Sequence, residues 1–295
     1  MSEAARGHAA MLLFSALVAG SFALGVLAAN LLDPAALNAV RFLIAAVVIG
    51  VLGWTTGVLR REDALAPWRY LVLGGLFSAY FVLMFEGLKT APAVSAAAVF
   101  TLTPVMSAFA GWFLLRQITT RWMALALSVG AVGALWVIFR ADLSAFLAFD
   151  IGRGEVIYFF GCVAHAIYTP MVAKLNRGEN PIAFTFGTLV AGTLILGTWG
   201  APEILATDWA ALPDIVWVTI LYTAIAASAA TFVLVQYAAL RLPSAKVMAY
   251  TYLTPSWVIL WQIALVGEVP TPLVLVGVAL TAGALLMLLR NEDPA

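Results

Sequence analysis

Leu102-Thr103-Pro104 lies in the middle of an apolar run, 92–115, and the same three residues return as Leu253-Thr254-Pro255 inside a second apolar run, 243–266. The separation is 151 residues, and the same shift carries Thr120 onto Thr271. Upstream, Asp33-Pro34 and Asn180-Pro181 each place a capping residue before a proline at the first helical position, a strong helix start. That pair is 147 residues apart, and its shift puts Gly50 on Gly197. Four matches in the same order point to one unit present twice. Duplicated units of this kind build transporters.

The rest of the chain fills in the unit. A helix needs about 20 apolar residues to cross the hydrocarbon of a bilayer. Ten segments qualify: Ala10–Leu31, Pro34–Leu59, Trp68–Phe85, Pro92–Leu115, Arg121–Phe139, Gly154–Ala173, Pro181–Gly200, Asp214–Tyr237, Pro243–Val266 and Pro272–Leu289. The apolar run that opens the chain is too long for a signal peptide and reads as the first span. Composition agrees, since 64% of the residues are hydrophobic and 10% charged, against about a quarter charged in soluble domains. The expected fold is an all-α membrane protein of ten transmembrane helices, in two inverted five-helix repeats around a central cavity. Residues 1–140 form the first repeat, 141–153 the connecting loop, and 154–295 the second repeat. An odd number of spans per unit makes the second copy enter from the opposite side.

Cations orient the chain, because cytoplasmic loops retain Lys and Arg. With the N-terminus inside, Arg6, Arg60, Arg61, Arg69, Arg116, Arg121, Lys174, Arg177, Arg241 and Arg290 fall inside. Only Lys89, Arg140 and Arg153 fall outside. Both termini are therefore expected in the cytoplasm.

The arrangement resembles the EamA-type branch of the drug/metabolite transporter superfamily. The resemblance is carried by Gly87-Leu88 ahead of Leu102-Thr103-Pro104, by Ala239-Leu240 ahead of Leu253-Thr254-Pro255, and by Gly267-Glu268 after span 9. It departs at Gln117, where Glu is usual. In overall similarity the chain looks most like bacterial aromatic amino acid exporters of the YddG type. The resemblance implies a bacterial inner-membrane transporter that moves a small organic solute outward by alternating access. Aromatic or other apolar amino acids are the expected cargo, with drugs or general metabolites as the alternative. A lipid-modifying enzyme in the membrane is a third reading, for which the sequence offers no catalytic group. The expected partners are the bilayer and the solute, with no nucleic acid, no cofactor and no metal, and the protein is expected to act as a monomer.

Ionisable groups within membrane spans mark functional sites by default. Lys246 lies one turn into span 9, with Tyr250 four residues later on the same face. It can pair with a solute carboxylate, or it can snorkel to the headgroups. His165 and Tyr168 share a face of span 6. Tyr80 on span 3 and Phe100 before Pro104 add aromatic surface, and these six residues are the candidate solute-binding set. Pro104 and Pro255 are candidate hinges, since each frees a backbone carbonyl inside a span. Arg41, Glu86 and Glu268 fall toward the outer ends of their spans, where they can pair with one another or form an outer gate. Cys162 is the single cysteine, so no disulfide is possible within the chain.

Overall fold

The computed structural model describes residues 3–139, 141–148, 151–267 and 269–290. Its described residues form helices and connecting turns. The long helices are α1 (Glu3–Ala28), α2 (Pro34–Thr55) and α3 (Trp68–Leu88). Span 4 is α4 (Ala93–Phe100) followed by α5 (Thr103–Leu115), and α6 (Arg121–Ile138) completes the first repeat. A short α7 (Leu143–Ala148) leads to α8 (Arg153–Leu175), α9 (Pro181–Trp199) and the short α10 (Ala201–Ala206). Span 8 runs through α11 (Asp214–Ala224), a π-helical segment (Ile225–Ala230) and α12 (Thr231–Ala239). Span 9 runs through α13 (Ser244–Ala249), a 3₁₀ turn (Tyr250–Leu253) and α14 (Thr254–Val266), and α15 (Pro272–Arg290) follows.

The capping residues act as their chemistry requires. Asp33 accepts from the N–H groups of Ala35 and Ala36, and Asn180 from that of Ile182. Each satisfies amides that a helix start leaves without partners. The helix α1 starts at Glu3, earlier than the expected Ala10, so that His8 falls within it.

Among the described residues, nine spans are long and apolar enough to cross a membrane, with Ala93–Leu115 (α4 and α5) and Asp214–Ala239 (α11 to α12) each taken as one. The segment expected as the ninth span, Pro243–Val266, is helical but broken, and no unbroken helix in it reaches that length. Proline explains the break, because it lacks an N–H and cannot bond to the carbonyl four residues back. The orphaned carbonyl is Phe100 O in span 4, where Thr103 Oγ1 donates to it at 2.7 Å. In span 9 it is Thr251 O, which the Thr254 N–H reaches in 3₁₀ fashion. Pro170 in α8 orphans the Ala166 carbonyl, which accepts instead from Ser107 of α5 at 3.1 Å. All three freed acceptors are therefore resatisfied within protein, as the hydrocarbon demands.

Equivalent helices of the two repeats run antiparallel. In the pair α2 and α9, Ala35 lies beside Gly200, Phe42 beside Gly192, and Gly50 beside Phe186. In the pair α6 and α15, Trp122 Nε1 donates to Met287 O and Trp136 Nε1 to Leu273 O. The first half of span 4, α4, packs on α14, and its second half, α5, packs on α13. The other contacts obey the same two-fold exchange: α3 packs on α8 as α1 packs on α11 and α12. The inversion expected from the odd span count is thus visible in the packing.

The α6–α15 crossing is closest at Gly133 and Gly277, where a Cβ on either would sit 2.7 Å from the other's carbonyl oxygen. Such contacts are how small residues bring membrane helices together. Gly277→Leu is expected to lower the melting temperature in detergent by several degrees. Gly283→Leu on the same helix, with nothing within 4 Å of its Cβ position, should change it little. Equal shifts in the two variants would show that this crossing carries no special constraint.

Candidate functional site

The expected central cavity is closed by side chains in this conformation. His165, buried in mid-α8, is surrounded by rings: Tyr80 at 4.5 Å between centroids, Phe77 and Phe100 at 5.3 Å, Tyr168 at 6.2 Å and Phe14 at 6.5 Å. Phe81, Tyr158 and Phe232 extend the cluster. These rings come from α1, α3, α4, α8 and α12, so both repeats build it. Four of the six candidate binding residues, Tyr80, Phe100, His165 and Tyr168, meet here.

The phenols are tied down. Tyr80 and Tyr158 share a hydrogen bond of 3.0 Å between hydroxyls, and Gln236 Nε2 donates to Tyr168 OH at 3.0 Å. Among the described residues, the buried His165 Nδ1 finds no hydrogen-bond partner, and neither do Gln236 Oε1 and Ser78 Oγ. A buried polar atom without a hydrogen bond costs about 1–3 kcal/mol.

Lys246 and Tyr250 are buried apart from this cluster, at the face where α1 begins. Tyr250 OH lies 3.1 Å from His8 Nδ1 of α1. The start of α13 is held by Gln117, whose Oε1 accepts from the Ser244 N–H at 3.1 Å. The departure at Gln117 therefore keeps a capping function, because an amide oxygen accepts as a carboxylate does. Thr103 and Thr251, one residue before Pro104 and four before Pro255, join the repeats through hydroxyls 3.2 Å apart. The two broken spans thus touch through buried hydroxyls close to the candidate hinges.

Among the described residues, Arg41 and Glu86 of the outer set form no ion pair with each other. Glu86 pairs with Lys89 at 2.6 Å near the surface. Arg41 is fully buried and forms no ion pair with a described acid, while Glu268 lies outside the described residues.

Two further groups were not singled out by the sequence. Arg69, counted there only as a loop cation, forms a buried ion pair with Glu179 of the α8–α9 turn at 2.6 Å. It also donates to the carbonyls of Leu175 and Leu65. Burial pushes the Glu179 carboxyl up, but the Arg177 N–H and the Arg69 guanidinium outweigh it and hold the group below the ordinary carboxylate value. The second is Glu155, buried in the first turn of α8, where Ser95 Oγ of α4 donates to it at 2.7 Å. Only its depth in the bundle distinguishes it from an ordinary first-turn acid. Among the described residues no group of three or more His, Cys, Asp or Glu gathers to hold a metal.

Comparison with known proteins agrees with this architecture. A solved crystal structure superposes with a TM-score of 0.74, covering 99% of both chains at 20% identity, which shows a shared fold. An uncharacterized transporter of Bacillus subtilis, YyaM, is 26% identical over 69% of this chain and 73% of its own. A probable terminal-alkyne amino-acid exporter of Streptantibioticus cattleyicolor is 28% identical over 87% of this chain and 84% of its own. The profile of the EamA-like transporter family matches residues 5–139 and again 152–290. The chain belongs to the EamA-like transporter family.

Proposed function

We propose that the protein exports aromatic or other apolar amino acids across a bacterial inner membrane by alternating access, as in exporters of the YddG type. The observation that carries this reading is the ring cluster around the unpartnered His165 Nδ1. A ring-walled site with one buried imidazole nitrogen that makes no hydrogen bond to a described residue suits a solute with an apolar body and a polar end. Lys246 receives the carboxylate at the face where α1 begins, and Tyr250 lines the approach. The relative named as an amino-acid exporter supports the same cargo class. The protein works as a monomer in two halves, 1–140 and 154–295, with both termini in the cytoplasm.

Purified protein in liposomes tests the cargo. Counterflow of labelled amino acids is expected to be strongest for phenylalanine, tyrosine, tryptophan and leucine. Counterflow by no amino acid would move the cargo to another class of metabolite. Topology is tested in whole cells with an impermeant thiol reagent. Cysteines at Ala145 and Thr207 should label from outside, against the buried native Cys162. Labelling of a Gly178 cysteine but neither of these would reverse the orientation.

Pro104 and Pro255 serve as hinges in opposite stages of the cycle. Pro→Ala at either restores the donor to Phe100 or Thr251 and should straighten the span. Exchange is expected to slow several-fold while solute affinity stays near wild type. Unchanged exchange in both variants would remove the hinge role.

A further inference from the structure

Charges inside a membrane-spanning bundle are costly and are usually paired. Arg41 has no such pairing with a described acid, although it lies two turns into α2 and is fully buried. Neutral groups hold its guanidinium. Nε donates to Ser228 Oγ at 2.7 Å, Nη2 to the Ala227 carbonyl at 2.7 Å, and Nη1 to Asn38 Oδ1 at 3.4 Å. These use three of the five donors a guanidinium carries. Ala227 and Ser228 belong to the π-helical segment of span 8. Such segments interrupt the regular helical ladder and occur often at functional sites.

The other side of the guanidinium faces the rings. Its Cζ stands 3.7 Å from the centroid of Phe81, and Phe81 touches Tyr80 at 4.5 Å and stacks on Phe232 at 5.9 Å. Tyr80 in turn touches His165. A full positive charge with spare donors therefore borders the cluster that contains the unpartnered imidazole nitrogen. It lies roughly 10 Å from the start of α2, at 1.5 Å per residue. Lys246, the third residue of α13, lies toward the other face of the bundle.

We propose that Arg41 is a second anion-binding site on the solute path, which takes the carboxylate after it leaves Lys246. This rests on the export reading above. The anion displaces neutral acceptors from the guanidinium, and charge-assisted bonds are roughly twice as strong as the neutral ones they replace. Arg41 beside the rings and Lys246 apart from them toward the other face give the carboxylate one partner before the solute crosses and another after. The site selects anionic solutes with an apolar body and disfavours their neutral analogues.

The test uses the full-length protein in lipid nanodiscs, with phenylacetate and its neutral analogue phenylacetamide as probes. Affinities are measured in a Lys246→Ala background, so that Arg41 is the cation under test. The acid is expected to bind at least about ten-fold more tightly than the amide there. Adding Arg41→Gln should remove that preference, a loss of about ten- to a hundred-fold in acid affinity. Arg41→Lys keeps the charge without the planar fork and should reduce the preference at least three-fold, which covers a Gln variant that fails to fold. Equal affinities for acid and amide in Lys246→Ala, or a preference that survives either Arg41 change, would overturn the site. Counterflow of labelled phenylalanine by the wild type separates the two ideas. A lost preference without counterflow keeps the anion site and removes the amino-acid cargo. Counterflow with an unaltered preference does the reverse.

Discussion

Lys246→Ala is expected to weaken binding of an aromatic amino acid by about ten- to a hundred-fold. The lysine is buried at the start of α13, so a carboxylate reaching it would make a charge-assisted hydrogen bond in a partly dehydrated space. Removing such a bond costs about 1.5–3 kcal/mol, and each 1.4 kcal/mol is a decade in affinity. Lys246→Arg should be intermediate, because the charge remains while its shape and reach change. A lysine that only anchors the helix end would behave differently, with Arg fully active and Ala altered in yield alone. Titration with phenylalanine and with phenethylamine, its decarboxylated amine, distinguishes the two. The wild type should prefer the acid, and Lys246→Ala should lose most of that preference. A variant that prefers the acid as strongly as wild type would reduce Lys246 to an anchor.

Glu179→Ala is expected to destabilise the folded protein by about 3–5 kcal/mol, the usual cost of stranding one member of a buried ion pair. The partner left behind is Arg69, almost fully buried at the start of α3 and tied to the carbonyls of Leu175 and Leu65. The pair fastens a helix of the first repeat to the α8–α9 turn of the second. Replacing both members, as Arg69→Met with Glu179→Leu, should recover much of the loss, because no charge remains buried. Because the folded protein holds the Glu179 carboxyl below its ordinary value, this stability is present at neutral pH. It is lost as pH falls through the folded value. Denaturation in detergent at neutral pH measures the effect. A loss under about 1 kcal/mol would class the pair with exposed salt bridges.

Most of the architecture was written in local sequence. Asp33-Pro34 and Asn180-Pro181 start helices through a side-chain oxygen and a fixed φ, and both need only neighbouring residues. The repeated Leu-Thr-Pro marked two positions where a span would lose a hydrogen bond. It did not say whether each span would bend or break, because that depends on what resatisfies Phe100 O and Thr251 O. The π-helical segment Ile225–Ala230 has no proline or glycine to announce it. The Arg41 guanidinium bonded to its Ala227 and Ser228 lies 186 and 187 residues away. Separation in sequence likewise hid Arg69–Glu179, since a cation near a helix start reads as a loop charge until its partner is located.

The candidate site was legible in part for the same reason. Tyr80, Phe100, His165 and Tyr168 were recognisable as aromatic or ionisable residues at mid-span depth, and the fold brings them together. Phe77 lies three residues before Tyr80 on α3, while Phe14, Tyr158 and Phe232 gave no signal beyond an apolar span. Lys246 and Tyr250 were expected to share a helical face, but α13 ends at Ala249 and Tyr250 opens the 3₁₀ turn, with its hydroxyl beside His8 of α1. Spacing along one helix shows which residues share a face, and only packing decides what that face meets.

The role of the ring cluster is tested most directly by His165→Leu, a change that keeps volume and removes the unpartnered Nδ1. A buried polar atom without a bond destabilises, so its removal should leave the melting temperature in detergent unchanged or raised. Phenylalanine counterflow in liposomes should nevertheless fall at least about ten-fold, because the solute loses the polar contact at the centre of its site. Stability and transport moving in opposite directions is the expected result. Counterflow equal to wild type in a stable His165→Leu protein would show that the histidine is core packing and that the solute passes elsewhere.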